Sequence, residues 1–312
     1  MESSLTELGW LTVPLAVLSG AIRVGTPFLF VSLGECLTER SGRINISLEG
    51  TLVMGAMTGY GTAYLTGSPW LGVLAAACAG ALLGGMHSLL CSRPGVDHIA
   101  AGIALMLFAT GIAFFFGKPL IQPRAPQLPD LPLGFWSDLN VVQANLRINP
   151  LFVIGVLVAP VMWWAFNNTR WGLYLRTVGD SAEAARALGL GVNGTRAMAT
   201  MIGGFFAGIG GAFLSLSYPG IWNEGLSSGQ GLMAVVLVIF ARWHPVRCLW
   251  AALLFGGASA LAPALQSVGI SSGYHLITAA PYLLTLILMI VTSSPERSLR
   301  GAPAELALNR TD

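Results

Sequence analysis

The sequence predicts an all-α fold: a polytopic transmembrane helical bundle of about nine spans, some of them discontinuous. Three observations carry that expectation. Of 312 residues, 54% are hydrophobic and only 10% charged, where a soluble domain carries roughly 25% charged residues; the mean hydropathy is +0.70. Apolar runs recur at about the 20 residues that a helix needs to cross hydrocarbon. The arginines fall almost entirely in alternate loops, as they do in an oriented membrane protein.

The spans follow in order as Leu11 to Cys36, Ile44 to Leu65, Trp70 to Leu90, His98 to Phe116, Pro150 to Phe166, Met198 to Tyr218, a short one at Gly229 to Ala241, Val246 to Leu265, and Tyr274 to Val291. The opening MESSLTELGW carries Glu2 and Glu7 and no cation, and the apolar run behind it exceeds a leader's core. It reads as a retained span. Arg40, Arg43, Arg93, Arg170, Arg176, Arg186, Arg196, Arg242, Arg247, Arg297, Arg300 and Arg310 share one side, and Lys118, Arg124 and Arg147 lie opposite. That asymmetry places the arginine-rich loops and the C-terminus in the cytoplasm and the N-terminus outside. Residues 1–292 then form the membrane domain, with a cytoplasmic loop at 167–197, and residues 293–312 form a cytoplasmic tail. The outer loop from Gly117 to Asn149 holds Pro119, Pro123, Pro126, Pro129 and Pro132 and suits an irregular lid.

Two spans open irregularly. Residues 39–50, ERSGRINISLEG, carry polar groups from the mouth of a span into it. Ser227-Ser228-Gly229-Gln230-Gly231 opens a segment of about 13 residues, too short to cross at 1.5 Å per residue. Irregular backbone at membrane depth is tolerated only where it is buried in protein or lines a wet cavity. The first break enters from inside and the second from outside. Each is followed at similar spacing by a histidine and a long apolar helix (His98, His275), as an inverted repeat would require, although chance accounts for the weak letter match equally well.

Asp180 to Gly194, DSAEAARALGLGVNG, is a polar, alanine-rich island between spans. Either it is an ordinary amphipathic surface helix, or its small alanines allow a partner to approach closely, with Gly189 ending the helix in a left-handed residue. Glu49 within the membrane is costly unless it meets a partner or a cavity. It reads as a clamp on a helix break, accepting backbone N–H bonds or pairing with Arg40 or Arg43, or as a contact to a transported ligand. Asn45 and Gln230 each donate and accept, as recognition or helix capping would use. Arg23 inside the first span could snorkel or pair with Glu35.

Other chemistry is excluded or disfavoured. Cys36, Cys78, Cys91 and Cys248 show no paired motif, and the four histidines no metal-ligand spacing. They read as buried hydrophobes and as non-ligands, and no metal is expected. With one lysine, Lys118, and a net charge of +2 there is no basic patch for nucleic acid. No GxxxxGK[ST] occurs, so nucleotide hydrolysis would have to come from another chain. Glycine pairs at 84–85, 203–204, 210–211 and 256–257 suit close helix packing.

The three strings ERSGRINISLEG, LRTVGDSAEAARALGLGVNGTRAMATMIGGFFAGIGGAF and GQGLMAVVLVIFARWHP together resemble the importer permease family that serves branched-chain amino acids, pentoses and nucleosides. Within it they are most similar to the shorter nucleoside-type subunit, and Glu49 departs from the Gly-Gly-Ile-Asp-Leu-Ser-Val-Gly type string of the pentose branch. The resemblance implies an ABC importer subunit for nucleosides or related purine and pyrimidine compounds, in the bacterial inner membrane. It implies a substrate path at Asn45, Ser47, Glu49, Gly50 and Gln230. It also implies a coupling helix at Asp180, Glu183, Ala184, Ala185 and Gly189, which would seat in a cytoplasmic ABC ATPase. The other expected partners are a second, longer permease and an extracytoplasmic substrate-binding protein. No cofactor would be bound by this chain and no catalytic residue is assigned, ATP and Mg residing on the ATPase. A pentose or branched-chain amino acid substrate is the near alternative. A proton-coupled secondary carrier using Glu49, and an intramembrane enzyme, for which no nucleophile and base are found, are the distant ones.

Overall fold

The computed structural model describes residues 2–133, 143, 146–269, 274–292 and 301–308. Helix α1 spans Glu2–Arg40, α2 Leu48–Thr66, α3 Pro69–Cys91, α4 His98–Gly117 and α5 Pro150–Asn168. Two short helices, α6 Arg170–Asp180 and α7 Ala182–Ala187, precede α8, Val192–Leu216. Then come α9 Gln230–Phe240, α10 Pro245–Ser267, α11 Tyr274–Thr278, α12 Ala280–Thr292 and α13 Ala304–Leu308. The sequence explains several boundaries. Asp97 caps α4 by accepting from the Ala100 N–H at 2.7 Å, and Asn149 does the same for α5 from Leu151 at 2.9 Å, with Pro150 in the first turn. Gly67 ends α2 in the left-handed conformation at φ 75°.

Among the described residues, six helical segments are long and apolar enough to cross a membrane: Val13–Arg40, Pro69–Cys91, His98–Leu120, Pro150–Asn168, Val192–Leu216 and Pro245–Gln266. The expected count of about nine is not reached on that criterion. Helix α2 has 19 residues but is rich in Gly and Thr, because it is enclosed by other helices and has no need of an apolar lipid face. Helix α9 has 11 residues. The last expected span is divided into α11 and α12, a break just ahead of Pro281.

The core forms around α1 and α8, the most enclosed spans, with α4 and α5 at the periphery. Glycines set the spacing. A Cβ on Gly204 would lie 2.1 Å from the Gly80 carbonyl oxygen, and one on Gly211 2.1 Å from that of Leu52, so α8 touches α3 and α2 backbone to backbone. Such approach lets dispersion hold helices together where lipid offers no hydrophobic driving force. At one end β1 (Leu131–Pro132) pairs antiparallel with β2 (Arg147–Ile148). Residues 121–130 lack regular structure, and residues 134–142, 144 and 145 of the expected lid lie outside the described residues.

The two breaks are approached from opposite ends. At the arginine-rich end, Arg196 near the start of α8 donates through Nε to the Ser41 carbonyl at 3.0 Å. From there residues 41–47 run without helix until α2 begins at Leu48. Gly50 packs on the backbone of Met106, nine residues into α4, so α2 starts near mid-depth. At the far end, Trp222 is buried and its indole N–H donates to the Gly117 carbonyl at 2.8 Å. The chain then descends to Gln230, where α9 starts beside Glu49 and returns to the arginine-rich end.

Candidate functional site

The two breaks meet at Glu49. In the first turn of α2, its Oε1 accepts from the Ser227 hydroxyl at 2.6 Å and from the Gly229 N–H at 3.0 Å. Its Oε2 accepts from the Gly231 N–H at 2.6 Å. These N–H groups belong to the N-terminus of α9, where donors have no helical partner and an anion is favoured. A Cβ on Gly231 would lie 2.6 Å from the Glu49 Cα, so only glycine allows the two helix starts to meet this closely. Glu49 is half-buried.

Neither arginine offered as a partner reaches it. Arg40 Nε donates to the Trp243 carbonyl at 3.0 Å. Arg43 caps the C-terminus of α3, with Nη1 to the Ser88 carbonyl at 3.1 Å and Nη2 to that of Cys91 at 3.1 Å. Burial, then the nearby Arg196, lowers the Arg43 pKa to about 10, leaving it cationic at neutral pH. Short-range helix capping outcompetes the longer reach to Glu49. Arg23 is 12 residues from Glu35 on one helix, some 18 Å at 1.5 Å per residue. That pairing is excluded.

The other residues around the junction hold the first break in shape. Asn45 Oδ1 accepts from the Ser47 N–H at 3.0 Å and its hydroxyl at 2.6 Å, and the Asn45 N–H donates to Glu35 Oε1 at 2.7 Å. Gly50 is a packing position, since a Cβ there would sit 2.5 Å from the Met106 carbonyl oxygen. Gln230 donates its own N–H to the Ser227 carbonyl at 2.9 Å. Among the described residues, the buried side-chain atoms without a hydrogen-bond partner include Asn45 Nδ2, Arg43 Nε, Glu35 Oε2 and Gln230 Oε1, close to these turns.

The polar island is not one helix: it runs from the last residue of α6 through α7 into the first turn of α8. Asp180 ends α6, and Ser181 breaks the chain by capping α7, accepting from the Ala184 N–H at 3.1 Å. Within α7, Ala182 and Ala185 face inward onto Val178 and Val192, because a spacing of three returns to the same helical face. Glu183, Ala184 and Gly189 are exposed, and Leu188 is 71% exposed. Ala185 is thus part of the support, and Ala184 is the alanine presented to solvent. Gly189 has φ 75° and donates to the Arg186 carbonyl at 2.9 Å.

Several residues around these sites were not singled out by sequence. Ser227 lay in a quoted string without a role. Glu39 accepts from the Trp243 indole N–H, tying the end of α9 to α1. An intramembrane carboxylate was the available signal for Glu39, while Glu35 had been named only as a partner for Arg23. Glu305 in the tail carried no signal at all.

Among the described residues, six helices of membrane-crossing length packed as a bundle mark a multi-pass membrane protein, and two helix breaks meet inside it. The chain belongs to the family described as branched-chain amino acid transport system / permease component, whose model matches residues 17–293. It is similar to the guanosine ABC transporter permease protein NupQ of Bacillus subtilis, 31% identical over 289 residues, covering 84% of this chain and 86% of that one. The nucleoside ABC transporter permease protein NupC of Lactococcus lactis is 29% identical over 296 residues, covering 88% and 90%. TsgC13 of Haloferax volcanii, provisionally named a glucose ABC transporter permease, is 33% identical over 260 residues, covering 82% and 79%. The chain is accordingly a permease subunit of an ABC importer, a transport component.

Proposed function

We propose that this subunit translocates nucleosides or related purine and pyrimidine compounds across the bacterial cytoplasmic membrane, driven by ATP and Mg at a separate ATPase. It crosses in nine segments, two of them the irregularly opened helices that begin at Leu48 and Gln230 and relate as an inverted repeat. It pairs with a second, longer permease and receives substrate from an extracytoplasmic binding protein. The arginine-rich end, carrying α7, faces the cytoplasm and the ATPase. The observation that carries this reading is the junction at Glu49, where one carboxylate joins the starts of two helices approached from opposite ends. A start of this kind is built from a few hydrogen bonds and can be rearranged, whereas a continuous helix cannot. Glu49 acts as the clamp. Asn45 Nδ2 and Gln230 Oε1 lack partners in this state, and such atoms are costly. A moved junction or a ligand supplies those partners, a donor and an acceptor of the kind a base edge or ribose hydroxyl would meet.

Nucleosides are preferred to pentoses and hexoses because two of the similar permeases carry guanosine or nucleosides in their names, and because Glu49 departs from the sugar-branch string. Reconstitution with the cognate permease, ATPase and binding protein tests this. ATP-dependent uptake of guanosine, adenosine and cytidine is expected, with glucose, ribose and leucine at background. Uptake of glucose alone would replace the substrate class. Uptake that persists without ATPase and is abolished by an uncoupler would replace the energy source with a proton gradient.

A further inference from the structure

The C-terminal tail, expected at 293–312 in the cytoplasm, packs against the bundle where it is described. Ala302 and Leu306 pack against the apolar cluster of α1, α5 and α10. Gly301, at φ 96°, turns the chain beside the Arg242 carbonyl. This seating brings Glu305 to a point between three elements. Its Oε1 accepts from the Ala182 N–H, the first residue of α7, at 2.7 Å. Its Oε2 takes the Arg196 guanidinium at 3.1 Å, with the side chains 18% and 9% exposed. Arg196 donates its Nε to the Ser41 carbonyl, where the first break leaves α1. A Cβ on Gly42 would lie 2.9 Å from the Glu305 Cβ and 3.1 Å from Arg196 Nη2, so the turn itself is packed against the pair.

These contacts form a continuous chain of hydrogen bonds from α7 through Glu305 and Arg196 to Ser41, the base of the segment that ends at Glu49. From this geometry we infer that Glu305 is a positioning residue for coupling: residues 301–308 are a clasp through which movement of α7 shifts the first discontinuous segment. The inference rests on the proposed role of α7 as the ATPase-facing helix. The clasp adds a polar link to the direct contact of Gly179 with the Arg40 carbonyl, where a Cβ would come within 2.1 Å. A carboxylate suits this position because it can accept from a backbone N–H and a guanidinium at once, on its two oxygens.

The test uses the reconstituted importer with Glu305→Gln and Glu305→Asp, reading four quantities: membrane level, ATPase co-purification, basal hydrolysis, and substrate imported per ATP hydrolysed. Glu305→Gln is expected to leave the first three unchanged and to lower import per ATP about fivefold, within the range seen when a residue along a coupling route is altered. Glu305→Asp, which keeps the charge, recovers part of the loss. Overturning outcomes are an unchanged ratio in the Gln variant, or a fall in membrane level or co-purification that accounts for all lost uptake. In the second case Glu305 is a structural contact only. Leu188→Glu, at the exposed residue that ends α7, tests the reading beneath: if co-purification survives it, the assignment of α7 fails independently of the clasp.

Discussion

Replacing Glu49 by glutamine removes one acceptor from a junction that uses both carboxylate oxygens. If the amide oxygen stays toward Ser227 and Gly229, the Gly231 N–H, now 2.6 Å from its acceptor, faces an NH2 donor. With the amide reversed, Gly231 keeps its bond and the Ser227 hydroxyl can rotate to accept, but the Gly229 N–H is stranded. Either way one backbone donor loses its partner. Hydrogen bonds to a charged group contribute about 1.5–3 kcal/mol. Glu49 is half-buried and water can reach part of the gap, so the low end applies, about 2 kcal/mol. At about 1.4 kcal/mol per decade this is roughly a 30-fold loss in population of the joined state. Uptake would be measured for adenosine, inosine, cytidine and their 2'-deoxy forms in parent and Glu49→Gln importers at equal membrane levels. A clamp acts before any ligand is distinguished, so all should fall by a similar factor. A change in rank order, with one ligand spared and another lost, would refute the clamp, because a missing contact is felt only by ligands that used it.

Other perturbations have equally definite outcomes. In a background with the exposed Cys78 replaced by serine, a cysteine near Arg176 should react with an impermeant thiol reagent only in inverted vesicles, and one near Pro129 only in spheroplasts; labelling of the first from outside reverses the orientation. Gly189→Pro and Glu183→Arg should leave the protein inserted while reducing uptake and ATPase co-purification together, since Gly189 holds a positive φ that proline cannot adopt; normal co-purification in both reduces α7 to a surface element. Gly204→Val should abolish the α3–α8 approach, where a Cβ alone meets the Gly80 oxygen at 2.1 Å, and lower the detergent-solubilised Tm strongly, as overpacking costs about 1–3 kcal/mol or more; an unchanged Tm contradicts the packing. Trp222→Phe should lose about 1 kcal/mol with its bond to Gly117, seen as a smaller Tm shift with uptake largely kept.

The membrane class, the order of the apolar segments, the two breaks and the polar island could all be read from this chain by itself. They are properties of local composition: apolar length sets a span, and a run such as Ser227 to Gly231 interrupts helix wherever it is placed. The family resemblance also lay in contiguous strings. Only the tertiary structure decided what those features touch. Glu49 lies 178 residues from Ser227, and no periodicity tells that its carboxylate meets the start of α9 and not Arg40 or Arg43. The inward turn of Ala185 depends on α7 being broken from α6 at Ser181, which a capping side chain accomplished within an otherwise helix-forming run. Helix α2 is less apolar than the lipid-facing spans because its neighbours, rather than lipid, surround it. Glu305 was invisible in a tail with no pattern of its own, since its meaning comes entirely from Ala182 and Arg196, brought beside it by the packing of Ala302 and Leu306.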